Sequence, residues 1–297
     1  MKIGVIVPQG WTGEYDGWEP RPAWERTVAV ARQAERLGFE SLWVFDHFHT
    51  VPKPTPEITF ESFSVLAALA PQTSRVRLGH IVLCAAYRNS GLTAKMISTL
   101  DSVSNGRMEL GIGAGWKRDE WLAYGYGFPG TAERLAILRD QLAVITRMFA
   151  GGREDQATFS GEHARVERAY NVPKPIQPHL PIMVGGNGPN VTWRIAARFA
   201  DELNVDGLSP AEVAGAMATI RSRCEEIGRD PSTLAVSVHG WWGDMRAAGA
   251  PRAELLAGYR EAGVSRVQTL IQATADSDEA LESFAADCRA AGATLAG

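Results

Sequence analysis

The sequence predicts an α/β fold, a (β/α)8 TIM barrel with an insertion between strands four and five. Short apolar, β-branched runs alternate with amphipathic stretches of helix length along the whole chain. Eight such βα units fit within 297 residues, and neither a composition break nor a linker divides them. The length alone also allows two ordinary domains, and the alternation alone an open doubly wound sheet; the unbroken count of eight favours the closed barrel. The expected organisation is therefore one barrel domain over residues 1–297, with 151–178 inserted in it.

Each element has its own signal. Ile3 to Val7 reads as the first strand, and Ala23 to Leu37 as a helix stopped by Gly38. Ser41 to Phe45 is the second strand, Thr59 to Ala70 a helix, and Val76 to Leu83 the third strand. Leu92 to Val103 is helical and ends near Asn105-Gly106, before the fourth strand, Met108 to Ile112. After a long helix, Ala132 to Phe149, the text turns polar, with a Gly pair at 151–152 and Val172-Pro173-Lys174-Pro175. This insertion has room for a small hairpin. The later strands are Pro181 to Val184, Glu202 to Val205, Leu234 to Val238 and Val267 to Ile271. Helices at Val191–Arg198, Pro210–Ile227, Arg252–Ala262 and Asp278–Ala290 complete the alternation. Continuous apolar strands joined by helices imply parallel pairing, with both faces of the sheet covered.

Composition excludes several functions. Thirty Lys plus Arg against 34 Asp plus Glu leave a charge of -4, and no basic run could track a phosphate backbone, so nucleic acid is not an expected partner. The apolar start is too short for a signal-peptide core, and nowhere do about 18 apolar residues run together, so the chain reads as cytoplasmic without a membrane partner. Cys84, Cys224 and Cys288 are odd in number and widely spaced, against a disulfide framework or zinc knuckle.

In a (β/α)8 barrel, chemistry sits where strands end. After strand two stands Asp46-His47-Phe48-His49, an acid beside a proton-exchanging imidazole. A plain loop histidine with a counter-ion reads equally from these letters, and a metal pair at His47 and His49 would need further ligands, for which His239 is the one candidate. After strand three, Cys84 suits a small buried residue better than a nucleophile, having no His nearby. Strand four runs into Gly113-Ala114-Gly115-Trp116, where missing Cβ atoms let backbone approach a flat ligand or simply make a tight turn. Strand five ends in Gly185-Gly186-Asn187-Gly188-Pro189-Asn190 before a helix, a pattern suited to one phosphate group, with Asn190 or Thr192 as side-chain donors, or simply to a Gly-rich helix cap. Trp11, Trp18, Trp116, Trp121, Trp241 and Trp242 stand in expected loops and would line an aromatic mouth or serve the core.

These segments together resemble the luciferase-like monooxygenase superfamily, and most of all its coenzyme F420-dependent branch. The resemblance rests on Leu78-Gly79, Ala94-Lys95, Thr99-Leu100-Asp101, Ser104-Asn105-Gly106-Arg107, Leu110 through Trp116 with Glu120, and Pro175-Ile176-Gln177-Pro178. Pro181 through Gly186 and Ala196 through Asp201 complete it, so that it spans essentially the whole chain. It implies a deazaflavin or flavin in the barrel mouth. By the same resemblance, Asp46-His47 matches the pair near the reactive carbon, and Cys84 and Ala85 fall by a bulge with a non-proline cis peptide bracing the ring. Gly113, Ala114, Gly115 and Trp116 border the ring, and Gly185, Gly186, Asn187 and Gly188 hold the cofactor phosphate. Two letters depart from the family: Trp116 stands where some F420 enzymes have a Glu, and Arg88-Asn89-Ser90 replaces a frequent Arg-x-Pro.

The resemblance implies an F420-dependent oxidoreductase that transfers a hydride to or from a small organic substrate, with His47 as acid/base and Asp46 orienting it. The alternatives are an FMN-dependent monooxygenase fed by a separate reductase, a non-catalytic flavin-binding barrel, and a metal hydrolase. A homodimer is the family-based expectation.

Overall fold

The computed structural model describes residues 1–241 and 243–296, which leaves the expected mouth residue Trp242 outside the described residues. Eight parallel strands close into a barrel. In chain order they are β1 (Lys2–Ile6), β2 (Ser41–Val44), β3 (Arg77–His80), β5 (Met108–Gly113), β8 (Ile182–Gly185), β9 (Glu202–Asp206), β10 (Ala235–His239) and β11 (Arg266–Thr269). β4 is a two-residue strand, Leu83–Cys84, and β6 (Gln156–Ser160) and β7 (Arg165–Tyr170) lie outside the barrel. The ring closes where Leu78 of β3 pairs with Met108 of β5 and Lys2 of β1 pairs with Arg266 of β11. Helices α1 (Pro20–Leu37), α2 (Ser62–Leu69), α3 (Ser90–Val103), α4 (Arg118–Ala123), α5 (Thr131–Phe149), α6 (Thr192–Phe199), α7 (Pro210–Glu225), α8 (Ala250–Glu261) and α9 (Glu279–Ala290) connect the strands. The polar 151–178 segment folds β6 and β7 into an antiparallel hairpin.

Three differences from the sequence expectation bear on the site. Strand three does not run unbroken from Val76 to Leu83: it stops at His80, turns through a non-proline cis peptide at Ile81–Val82, and resumes as β4 against Ile112 and Gly113. The second helix starts at Ser62 rather than Thr59, because Glu61 caps it by accepting from the backbone N–H groups of Phe63 and Ser64. Phe60 is meanwhile tied to Gln9 through its N–H. Finally, α4 forms in what reads as loop.

The barrel interior is layered. At its N-terminal end lies an ionic cluster: the Arg266 guanidinium bonds Glu109 at 2.8 Å and Glu40 at 3.3 Å, and lies 3.6 Å from Glu202. Arg77 pairs with Glu109 from the other side. Above it, Asn204 donates to Ser237 Oγ at 2.8 Å and to Gln268 at 3.1 Å. Ile6, Phe45, Ile81, Met183 and Leu270 form the apolar layer beneath the mouth. Charges this deep persist only when paired. Burial raises the Glu202 carboxyl above its ordinary pKa despite Arg266. For Glu109 burial pushes the same way, but Arg266 and Arg77 outweigh it and hold the group below its ordinary value.

Arg266→Met leaves two buried carboxylates short of their cation, and is expected to cost about 3–5 kcal/mol in urea unfolding. Glu202→Gln, replacing a group already biased toward its neutral form, is expected to cost far less; equal losses in the two variants would contradict this account of the cluster.

Candidate active site at the barrel mouth

The C-terminal ends of the strands gather nearly every residue singled out in the sequence, and the bulge after β3 organises them. Val82 reaches across the top of the barrel: a Cβ on Gly113 would stand 2.8 Å from Val82 Cγ2, and one on Gly185 3.0 Å from Val82 Cγ1. Both glycines thus serve first to admit Val82, which forms a small apolar platform between β5 and β8. Gly115, with φ of +75°, packs against Cys84 and Trp121, and Ala114 is partly buried beside it.

Asp46 fixes this bulge. Its buried carboxylate accepts from the Cys84 N–H at 2.9 Å, from Ser62 Oγ at 2.9 Å, and from both Arg88 amino groups at 2.8 and 2.9 Å. Burial disfavours the Arg88 charge, but Asp46 and Glu61 more than compensate and raise its pKa. Asp46 therefore does not orient His47, contrary to the sequence expectation, because its carboxylate is taken up by Cys84, Ser62 and Arg88. The cis peptide lies at Ile81–Val82, ahead of Cys84. The Cys84 thiol is buried against Tyr87 and Trp121, and burial pushes its pKa up to about 12, unsuited to a nucleophile. Ala85 opens the short 3-10 turn that follows.

The partner of His47 is Glu120, from α4. His47 Nδ1 lies 2.9 Å from Glu120 Oε2, which also accepts from the Tyr87 hydroxyl at 3.0 Å, while Oε1 accepts from the Phe48 N–H at 2.7 Å. Burial alone would raise the Glu120 pKa, but the His47 interaction and these donors win and lower it. Trp11 lies flat on the imidazole, centroids 4.2 Å apart and planes 2° from parallel, and Trp116 meets its edge at 5.9 Å. Trp11 is held by its loop: Glu14 accepts from Gln9 and Thr12 N–H groups, and Gln9 brackets Phe45 through both ends of its amide. With Nδ1 engaged, Nε2 is the ring atom left for a ligand.

On the other side of the platform, Gly185 to Gly188 lead into α6, whose N-terminus has no side-chain cap. Gly186 has φ of +138°, and its N–H bonds the Asn204 carbonyl. The Asn187 side chain is occupied, bonding the backbone of Asp206 at 2.7 and 2.8 Å, so it serves the loop's shape. Among the expected aromatics, Trp11, Trp116 and Trp241 line the mouth, Trp121 packs behind the bulge, and Trp18 lies against Tyr15 in a separate cluster. Among the described residues no three metal-ligating side chains converge, and no helix is long and apolar enough to cross a membrane.

Sequence reasoning did not anticipate Val82 as platform, Glu120 as the His47 partner, or Asp206 with His239. Glu120 carried a weak signal through the Trp116-to-Glu120 motif, but its role depends on α4. Asp206 and His239 are joined only by the adjacency of β9 and β10.

Residues 1–242 match the luciferase-like monooxygenase family. The chain is 31% identical over 189 residues to an uncharacterised protein of Mycobacterium tuberculosis, covering 59% of this chain and 65% of that protein's length. It is 31% identical over 258 residues to the F420-dependent glucose-6-phosphate dehydrogenase of Intrasporangium calvum, covering 80% of this chain and 74% of the relative. The fold superposes on an F420-dependent secondary alcohol dehydrogenase, solved with an F420-acetone adduct, with TM-score 0.79 over 98% of both chains at 18% identity.

A lowered carboxylate pKa means that Glu120 stabilises the fold above its unfolded pKa, and that this contribution disappears as pH falls through the lower folded value. Glu120→Gln is expected to be less stable than wild type by about 1–3 kcal/mol at neutral pH, the gap narrowing in acid below about pH 4. Urea unfolding of both proteins across that range checks it, and a gap indifferent to pH would contradict it.

Proposed function

The chain belongs to the luciferase-like monooxygenase family, and we propose that it is an F420-dependent oxidoreductase that moves a hydride between the deazaflavin and a small organic substrate. The observation that carries this reading is the His47 environment: one ring nitrogen tied to a buried carboxylate, one face covered by Trp11, and Nε2 left for proton exchange. The mouth fits a planar cofactor with a phosphate arm. Val82, admitted by two glycines, offers an apolar surface for a ring, and the uncapped α6 terminus behind Gly185–Gly188 offers backbone donors for a phosphate. When bound, F420 would supply two-electron hydride chemistry at its position 5.

The remaining steps fall to the chain itself. Asp46 and Arg88 hold the bulge rigid through charge-assisted bonds, which keeps Val82 in place beneath the ring. Glu120 fixes the His47 tautomer with hydrogen at Nδ1, so that Nε2 accepts a proton from an alcohol or, once protonated, returns it to a carbonyl. Trp11, Trp116 and Trp241 narrow the mouth and limit water. Relatives named for F420-dependent dehydrogenation favour the deazaflavin over FMN, and a monooxygenase of similar fold solved with FMN keeps that flavin as the alternative.

Titrating the purified protein separately with F420 and with FMN, followed by ligand fluorescence, should give the tighter binding with F420; preference for FMN would move the protein to the oxygenase branch. His47→Ala is expected to lower turnover by about 10²–10⁴-fold with F420 affinity retained. Unchanged turnover in that variant would remove His47 from the chemistry.

A further inference from the structure

A second histidine faces the same mouth from the opposite wall. Around the barrel, β10 lies four strands from β3 in either direction, so His239 at the end of β10 stands across from the Val82 bulge. Its ring stacks on Trp241 at 5.0 Å and lies 5.6 Å from Phe45, and it is only 7% exposed. His239 Nδ1 lies 3.2 Å from Asp206 Oδ1, a carboxylate half open to solvent. The other nitrogen, Nε2, is buried without a hydrogen-bond partner, as is Trp11 Nε1 on the neighbouring side of Phe45. Buried polar atoms in a native protein are normally satisfied, so two orphans lining one mouth mark where a ligand's polar atoms belong.

We propose that Asp206 and His239 form the substrate-recognition element of this mouth, selecting a small molecule that carries a hydroxyl group besides its reacting centre. The Asp206 carboxylate, 3.2 Å from Nδ1, favours the tautomer with hydrogen at Nδ1, which leaves Nε2 as an acceptor that requires a donor such as O–H. Trp11 Nε1–H offers the complementary donor to a ligand oxygen. A pure hydrocarbon or an ether would leave His239 Nε2 unpaired, a poor fit by comparison with a diol or other hydroxylated substrate. The inference rests on reading the mouth as a cofactor-and-substrate site, with the ring against Val82 and the substrate on the β10 side. Asp206 is a positioning residue here, acting through His239.

The test uses the whole protein with ¹⁵N-labelled histidine rings, titrated with propane-1,2-diol and with 1,2-dimethoxypropane, which shares the carbon skeleton but has no hydroxyl. The diol is expected to shift the His239 Nε2 resonance saturably and the diether to leave it in place. Asp206→Asn should loosen the fixed Nδ1–H tautomer in the same spectra and weaken diol binding by about three- to tenfold. His239→Phe should abolish the diol site while F420 affinity stays within about twofold. A His239 resonance indifferent to the diol, as an internal water on Nε2 would produce, or moved equally by the diether, overturns the proposal. If wild type responds to the diol but binds no F420, the hydroxyl site stands and the oxidoreductase reading falls.

Discussion

The carboxylate of Asp46 is the constraint on which the mouth depends. Four donors converge on it from three chain segments: Ser62 at the head of α2, the Cys84 backbone after the bulge, and both arms of Arg88. Losing any one partner would leave charge or polar atoms buried and unmatched, which is expensive at a site excluded from water. This convergence holds the end of β2 against the chain leaving β3. Val82 then has a fixed seat between β5 and β8, and the absence of side chains at Gly113 and Gly185 follows from that seat.

His47 is placed by the same strand end but governed by different neighbours. One residue beyond Asp46 the chain turns toward α4, where Glu120 takes Nδ1 and the Phe48 N–H together. Adjacent residues of the Asp46-His47 pair thus divide the labour, one fastening the platform and the other held between Glu120 and the Trp11 ring. The ring stack that begins with Trp11 on His47 continues through Trp241, 5.8 Å away, to His239. The two histidines therefore frame one mouth, each with a carboxylate beside Nδ1. They differ in setting: Glu120 is wholly buried, whereas Asp206 is half open to solvent.

At the far end of the barrel the polar cluster of Arg266, Arg77, Glu109 and Glu202 plays a structural part. Its charges are matched within the barrel rather than presented to a ligand, and Gln268 links Glu202 to the amide layer above.

The sequence by itself determined the alternation of eight strands and helices, the position of the inserted segment's polar text, and the strand ends at which the predicted site residues stand. These are periodic or local signals, set by which faces must be buried and by where glycine and charge interrupt an apolar run. The Asp46-His47 pair and the glycine loops were legible for the same reason. Tertiary structure alone decided who partners whom. Asp46 and His47 are neighbours in sequence yet turn to different partners, 38 and 73 residues away, because backbone direction at the strand end separates their side chains. Likewise Asp206 meets His239 only because parallel strands bring distant residues into register, a coincidence of pairing with no local pattern to announce it.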